Sequence, residues 1–228
     1  MAPLAWKQTR SLLHAGTTPV IGLALSVLAC SSEKEEKPAT PEAGFAVSDF
    51  YTATGAMGDA AASGHLVIHP SFECKERPAG AVGDCYAFDY IAGPELWAGL
   101  YWLSPNNNWG TSPGLAVPGD KLTKVRFQAA VEEGTDELLF VIGGIGVPPL
   151  PEGTPTYPYA DQMKQELRVD VTTSWQTFEI PIPKQSSDGT TPITELIGAF
   201  AWSAYHPDGI DPTTAPTKTV YIDDLAYE

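Results

Sequence analysis

The residues with the clearest potential for chemistry are aromatic and amide side chains in the stretch Glu95–Gly110, ELWAGLYWLSPNNNWG. This stretch contains three of the six tryptophans, and three consecutive asparagines, Asn106, Asn107 and Asn108, follow a proline there. Binding pockets for small polar ligands combine an apolar wall with a few placed polar groups. Aromatic faces beside planar amides therefore suit a flat, polar ligand such as a sugar ring.

The aromatic candidates for such a site are Trp109, Trp102 and Trp202. Trp109 is the strongest of them, since it follows the asparagines in a predicted loop and has no strand face to fill. Trp97 and Tyr101 are weaker candidates because a strand offers them a buried side. In the alternative interpretation the rings belong to the core, and the asparagines satisfy backbone groups in a tight turn.

Patterns typical of glycoside hydrolysis are missing from the sequence. A hydrolase on a β-sandwich would place carboxylates at every second position of one strand, so that a nucleophile and an acid share a face. Glu132 and Glu133 are adjacent and therefore point to opposite faces of any strand. We predict no catalytic residues, and a hydrolase with scattered carboxylates is the least favoured alternative.

Short β-strands must position these residues. After Gly44, alternating apolar and polar runs are separated by Gly, Pro, Asn and Asp, and no run keeps a helical period. The pattern predicts an all-β domain over residues 45–228, a two-sheet sandwich of about ten strands with long loops. Tyr51–Ser63 and Gly143–Met163 are predicted to be loops, and the length of the second favours a functional role.

Residues 1–29 have the layout of a secretory signal. Lys7 and Arg10 precede an apolar run, Val20–Ala29, that is short for a membrane span. The run ends in the sequence VLAC, which looks like a bacterial lipobox, and residues 30–44 have the composition of a flexible tether. The pattern predicts lipidation of Cys30 and anchoring to a bacterial membrane, with the serine that follows favouring the outer membrane or cell surface.

Cysteine usage agrees with export. Lipidation of Cys30 leaves Cys74 and Cys85, an even pair in an oxidising compartment, and we predict that they form a disulfide. Closing this short loop would stabilise the fold by about 3 kcal/mol in the chain-entropy model.

The net charge disfavours one class of partner. The chain carries a formal charge of −15, and removal of the positively charged signal makes it more negative. Phosphate binding needs a basic face, and the sequence offers none. We therefore exclude nucleic acid as a partner.

Several motifs occur in a recognisable order along the C-terminal two thirds of the chain. They are LTKVRF at Leu122–Phe127, TTSWQTF at Thr172–Phe178, LIGAF at Leu196–Phe200 and the closing YIDDLAYE. Together they resemble strands of the galactose-binding-like jelly-roll domains, which include many carbohydrate-binding modules. The middle of the chain, with NNWG, resembles surface lipoproteins of myxobacterial type. The resemblance implies a non-catalytic surface lipoprotein that binds a polysaccharide or other glycan; the alternative is a structural or adhesive lipoprotein without a small-molecule ligand.

The same resemblance implies a structural calcium ion. Such jelly rolls often hold calcium between the first and last strands on a carboxylate of the last strand, and Asp223 occupies the matching position, with Asp224 beside it. Calcium takes six or more oxygen ligands, so several segments must converge. Asp49 and Asp59 lie where the N-terminal segment would supply the other carboxylates.

Maturation at Cys30 is directly testable. Mass spectrometry of the N-terminal peptide from the native protein should find Cys30 as the first residue, carrying acyl chains. A mature chain that starts at another residue without acyl groups would refute both the lipidation and the predicted anchor.

Overall fold

The computed structural model describes residues 40–42, 44–69, 74–150, 153, 155–189 and 191–228, and the alternating runs form thirteen strands there. The predicted signal and Cys30 lie outside the described residues. The strands are β1 Phe45–Ala46, β2 Thr52–Gly58, β3 Leu66–His69, β4 Tyr86–Tyr90, β5 Trp97–Leu103, β6 Leu115–Ala116, β7 Lys124–Val131, β8 Thr135–Gly143, β9 Lys164–Thr172, β10 Gln176–Pro181, β11 Glu195–Leu196, β12 Gly198–Tyr205 and β13 Lys218–Tyr227. Two 3-10 turns, Val47–Asp49 and Asp59–Ala61, follow β1 and β2.

Two antiparallel sheets form the sandwich. Sheet A has the order β10-β7-β13-β4-β3, with β1 also paired to β13, and sheet B has the order β2-β5-β12-β8-β9. Strands β6 and β11 form a separate two-residue pair. The architecture is the all-β, two-sheet jelly-roll sandwich that the sequence predicts. In the described part of the chain no helix is long and apolar enough to cross a membrane.

The inner faces of both sheets meet in an aromatic core. Phe88 of sheet A contacts Trp102 and Trp202 of sheet B, with ring centroids 5.8 and 5.1 Å apart. Both tryptophans have no exposed surface. The prediction that Trp102 and Trp202 bind a ligand is therefore wrong, because their strand positions face the opposite sheet and leave no ring face for a sugar.

The strand count and one segment differ from the prediction. Thirteen strands occur among the described residues in place of about ten, partly because β1, β6 and β11 are only two residues long and are easily overlooked in a sequence. The sequence predicts a loop over Tyr51–Ser63, but this segment contains β2, which pairs with β5 at the edge of sheet B. Its small residues, TATGAMG, show no alternation of large apolar side chains, so the periodic signal of a strand is missing.

The predicted disulfide between Cys74 and Cys85 is present. Within the loop that it closes, Arg77 reaches the last strand and binds Asp223 in a bidentate pair. The Nε–Oδ2 distance is 2.8 Å and the Nη2–Oδ1 distance is 2.6 Å. The carboxylate of Asp223 is fully buried, whereas the Arg77 side chain is partly exposed. Removing one partner of such a pair leaves a buried charge without compensation.

An irregularity in β13 buries a second carboxylate. Asp224 has a left-handed φ of 52°, and the register of β13 against β7 shifts between Asp223 and Ala226. Its carboxylate lies 2.5 Å from Arg126 Nη1 and accepts a hydrogen bond of 3.0 Å from the backbone amide of Val82. The adjacent aspartates of the YIDDLAYE motif thus each have their own arginine.

Replacing Arg77 by methionine should lower the free energy of unfolding by about 3 kcal/mol, because it leaves Asp223 charged and buried. Denaturant unfolding at pH 7 measures the change. In an Asp223→Asn background the same replacement should cost much less, since no buried charge is left unpaired. Equal costs in the two backgrounds would show that the ion pair does not carry the effect.

Candidate functional site

The candidate site is the outer face of sheet B. Alternate residues of β5 lie on opposite faces of sheet B. Leu100 and Trp102 pack in the core between the two sheets, whereas Trp97, Gly99 and Tyr101 lie on the outer face. A face of a sheet that is turned away from the core normally carries polar residues. This one carries aromatic residues at both ends of β5.

At one end of the face, four planar groups form what we call the planar row: Trp97, Tyr205, Arg168 and Glu137. Trp97 and Tyr205 occupy directly paired positions of β5 and β12, and their rings are near parallel, with centroids 6.0 Å apart. The guanidinium carbon of Arg168 lies 5.5 Å from the centroid of the Tyr205 ring. Arg168 Nη1 donates a hydrogen bond of 2.8 Å to Glu137. Tyr205 is 37% exposed, so the row is open to solvent.

At the other end lies a pocket of about 410 Å³, which we call the aromatic cavity. Its walls come from β2, β5, the loop after β5 and the loop between β8 and β9. They are formed by Met57, Tyr101, Trp109, Gly144, Ile145, Gly146, Leu150, Pro155 and Tyr157. The rings of Tyr101 and Trp109 meet edge to face, with centroids 5.9 Å apart.

Gly99 lies between the planar row and the aromatic cavity. It lies between Trp97 and Tyr101, which are four strand residues and roughly 13 Å apart. A Cβ atom at position 99 would lie 2.7 Å from Ser203 Oγ and 2.8 Å from Met57 Cε, closer than real contacts allow. The side chains of Ser203 and Met57 therefore lie over Gly99, and Met57, which also lines the aromatic cavity, spans the distance between the two aromatic ends.

Asn108 builds the cavity wall that carries Trp109. Its side-chain nitrogen donates to the carbonyls of Ser104 and Ser112, at 3.2 and 2.9 Å. Its side-chain oxygen accepts from the amides of Gly110 and Ser112, at 3.1 Å each. The residue is buried, and the loop uses both ends of its amide. The prediction that Asn108 binds a ligand is therefore wrong, and its role is to shape the turn.

Two of the three asparagines and the best tryptophan candidate stay accessible. Asn106 and Asn107 are exposed at the tip of the turn. Trp109 is half-buried and lines the aromatic cavity. Contact of these three residues with a ligand stays a prediction. Trp97 and Tyr101, the weaker candidates in the sequence, both lie on the outer face.

Asp161 fixes the long loop that forms the other cavity wall. Its carboxylate accepts hydrogen bonds from the amides of Ile145 at 2.8 Å, Ile197 at 2.6 Å and Gly198 at 3.3 Å. It thereby ties the end of the loop to its own beginning and to the junction of β11 and β12. Burial raises the pKa of Asp161 to about 7, the three amides oppose that rise, and Glu195 adds to it.

The aspartates predicted to hold calcium lie in separate environments. Asp223 and Asp224 are each paired with an arginine. Asp59 is buried and accepts hydrogen bonds from the Tyr90 hydroxyl and two backbone amides. Asp49 is exposed. Within the described ranges no group of three or more His, Cys, Asp or Glu residues is placed to hold a metal. Calcium binding stays a prediction from the sequence.

Sequence reasoning missed the residues that complete the face. Tyr205 lies in the segment AYHPDGID, whose composition is typical of a loop. Arg168 and Glu137 occupy polar positions of predicted strands, and nothing in the local sequence marks them as members of a site. Met57 and Tyr157 lie in segments without any period. The alternation of Trp97, Gly99 and Tyr101 is a usable signal, since a glycine between two aromatic residues marks a close approach of another group.

Solved structures similar to this chain include a family 11 carbohydrate-binding module from Clostridium thermocellum in complex with a β-1,3-1,4-mixed-linked tetrasaccharide. It is 15% identical, and the match covers 77% of this chain and 96% of that module, with a TM-score of 0.38. A family 30 carbohydrate-binding module is 13% identical over 81% of this chain and 98% of that module, with a TM-score of 0.43. The extra C-terminal domain of an exo-1,3/1,4-β-glucanase from a Pseudoalteromonas species is 12% identical over 78% of this chain and 76% of that domain, with a TM-score of 0.38.

The first two structures belong to the group that the sequence motifs resemble. Their identities and TM-scores assign neither a ligand nor a subsite to this chain. No protein-family model matches the chain. No curated protein matches it.

The buried carboxylate of Asp161 predicts a specific pH dependence. Because its folded pKa lies above the ordinary value, the native state holds a proton that the unfolded state releases between about pH 4 and pH 7. This group therefore lowers the free energy of unfolding as pH rises through that window, by at most about 1.4 kcal/mol per pH unit. Asparagine does not titrate, so Asp161→Asn should remove this contribution. Denaturant unfolding at several pH values checks it, and identical pH profiles for the two proteins would contradict it.

Proposed function

We propose that the outer face of sheet B binds carbohydrate, and that the chain is a binding module without catalysis. The observation that carries the proposal is the planar row, in which Trp97 and Tyr205 present near-parallel rings beside Arg168 and Glu137. The C–H faces of a sugar ring pack on aromatic rings, and its hydroxyls need nearby hydrogen-bond donors and acceptors. Because Trp97 and Arg168 lie against the Tyr205 ring from its two sides, the row offers a sugar the exposed edges of its rings as apolar contact, and the guanidinium and carboxylate as hydrogen-bonding partners.

The charged members of the row are available to a ligand. Arg168 and Glu137 are half or more exposed in their side chains. An ion pair this exposed contributes little to stability, with a median of about 0–1 kcal/mol. Its hydrogen bonds can therefore be exchanged for bonds to sugar hydroxyls at small cost. A sugar hydroxyl can accept a hydrogen bond from the Arg168 guanidinium and donate one to the Glu137 carboxylate.

The alternative is a structural or adhesive role without a small-molecule ligand, in which the aromatic residues are core. That interpretation fits Trp102 and Trp202, which are buried. The exposed ring of Tyr205 and the open aromatic cavity favour ligand binding instead. A lipid anchor at Cys30, outside the described residues, would hold such a module at a bacterial membrane surface, and we include this anchor in the proposal.

The planar row can be tested with one substitution and a matched control. For any polysaccharide that retains the wild type, Tyr205→Ala should raise the dissociation constant at least ten-fold, because it removes the central ring of the row. A ten-fold change corresponds to about 1.4 kcal/mol of binding free energy. Affinity electrophoresis of the soluble domain against a panel of polysaccharides measures this effect. Tyr159→Ala is the control, since Tyr159 is similarly exposed, at 39%, and lies outside the row.

Both variants should melt close to the wild type, because both side chains are on the surface. A Tyr205→Ala protein that is retained as strongly as the wild type would refute the row as the binding surface. The absence of retention by any polysaccharide of the panel would argue for the structural role.

A further inference from the structure

The aromatic cavity differs in chemistry from the planar row. The Tyr101 hydroxyl already donates a hydrogen bond of 3.1 Å to the carbonyl of Gly143. The indole N–H of Trp109 and the hydroxyl of Tyr157 are the other side-chain hydrogen-bonding groups of this lining, and its remaining side chains are apolar. A sugar ring in this space would lose the hydrogen bonds of several hydroxyls to water and find few replacements, and a buried hydroxyl without a partner is unfavourable. The cavity therefore suits an apolar group better than a sugar ring.

The composition of the walls favours an aromatic guest. Tyr101, Trp109 and Tyr157 contribute rings from three different segments, and Met57 contributes a thioether. Aromatic rings gain from edge-to-face and offset contacts with one another, and sulfur packs well against ring edges. The volume of about 410 Å³ lies within the range of small-ligand pockets.

The cavity is held open by polar groups behind its walls. Asn108 organises the turn that carries Trp109, and Asp161 fastens both ends of the long loop. A backbone hydrogen bond of 3.1 Å from Tyr159 to Gly110 joins the long loop to that turn. A pocket whose walls are fixed before binding loses less conformational entropy when a ligand enters.

We propose that the aromatic cavity binds an aromatic substituent of the saccharide held on the planar row. The ligand class is then an aryl-substituted carbohydrate, such as a phenolic ester or an aryl glycoside. This inference rests on the proposed function for the saccharide part, and the two parts are joined because Trp97 and Tyr101 lie on the same face of β5, roughly 13 Å apart. The aromatic part rests on the cavity alone.

The cavity is tested first with 2-naphthol, an aromatic probe that carries no sugar. Isothermal titration should show binding to the wild type and to Tyr205→Ala. Leu150→Trp, which fills the cavity from a half-buried position, and Tyr157→Ala, which removes one wall, should each weaken binding at least ten-fold. Tyr159→Ala is the matched control for Tyr157→Ala, since the two tyrosines are similarly exposed in the same loop and Tyr159 does not line the cavity.

The combined ligand is tested with paired methyl and 2-naphthyl glycosides of glucose, galactose and xylose. For at least one sugar the naphthyl glycoside should bind at least ten-fold more tightly than the methyl glycoside. Leu150→Trp should remove that advantage, and Tyr205→Ala should weaken both members of the pair. Failure of 2-naphthol to bind, or equal binding to Leu150→Trp, would overturn the cavity inference even if polysaccharides are retained. Binding of 2-naphthol with no glycoside or polysaccharide bound would instead overturn the proposed function and the saccharide part of this inference.

Discussion

The outer face of sheet B depends on the buried carboxylate of Asp161. The described residues of the loop between β8 and β9 form no strand or helix, so the position of this part of the loop must come from contacts at its ends. Asp161 provides these contacts by accepting hydrogen bonds from backbone amides at Ile145 and Ile197. Because all its partners are main-chain groups, substitutions at the partner positions leave the bonds in place. The cavity wall is thus held to the sandwich by backbone N–H groups, which every residue except proline provides.

The two kinds of buried carboxylate serve different purposes. Asp161 is compensated by dipoles and shapes a surface, whereas Asp223 is compensated by a full charge on Arg77 and joins a loop to the core strand β13. The disulfide between Cys74 and Cys85 limits the conformations of that loop, so Arg77 is held near its partner. In the motif YIDDLAYE both aspartates take part in ion pairs, Asp223 with Arg77 and Asp224 with Arg126.

Much of the fold could be predicted because the alternation of apolar and polar residues along a strand is a local property of the sequence. The disulfide could be predicted because an exported chain with Cys30 lipidated has an even number of remaining cysteines. The segment with β2 was missed because its small side chains carry no period. Trp97 and Trp102 are five positions apart on β5 and so lie on opposite faces of the strand, but alternation cannot say which face meets the other sheet. Trp102 was therefore misplaced. The pair between Arg77 and Asp223 joins residues 146 positions apart, and no local pattern reports such a contact.

The position of β13 in sheet A also bears on how the chain folds. It is the last of the thirteen strands, yet it pairs with β1, β4 and β7, and Phe45 lies opposite Tyr227. Before β13 is in place, the β3–β4 and β7–β10 pairs have no strand to join them into one sheet. In such non-local pairing the chain loses the entropy of closing long loops before the strand contacts compensate for that loss. Domains dominated by pairings of this kind fold in milliseconds to seconds. Sheet A is therefore expected to assemble late, with the unpaired edges of β4 and β7 exposed to other chains until it does.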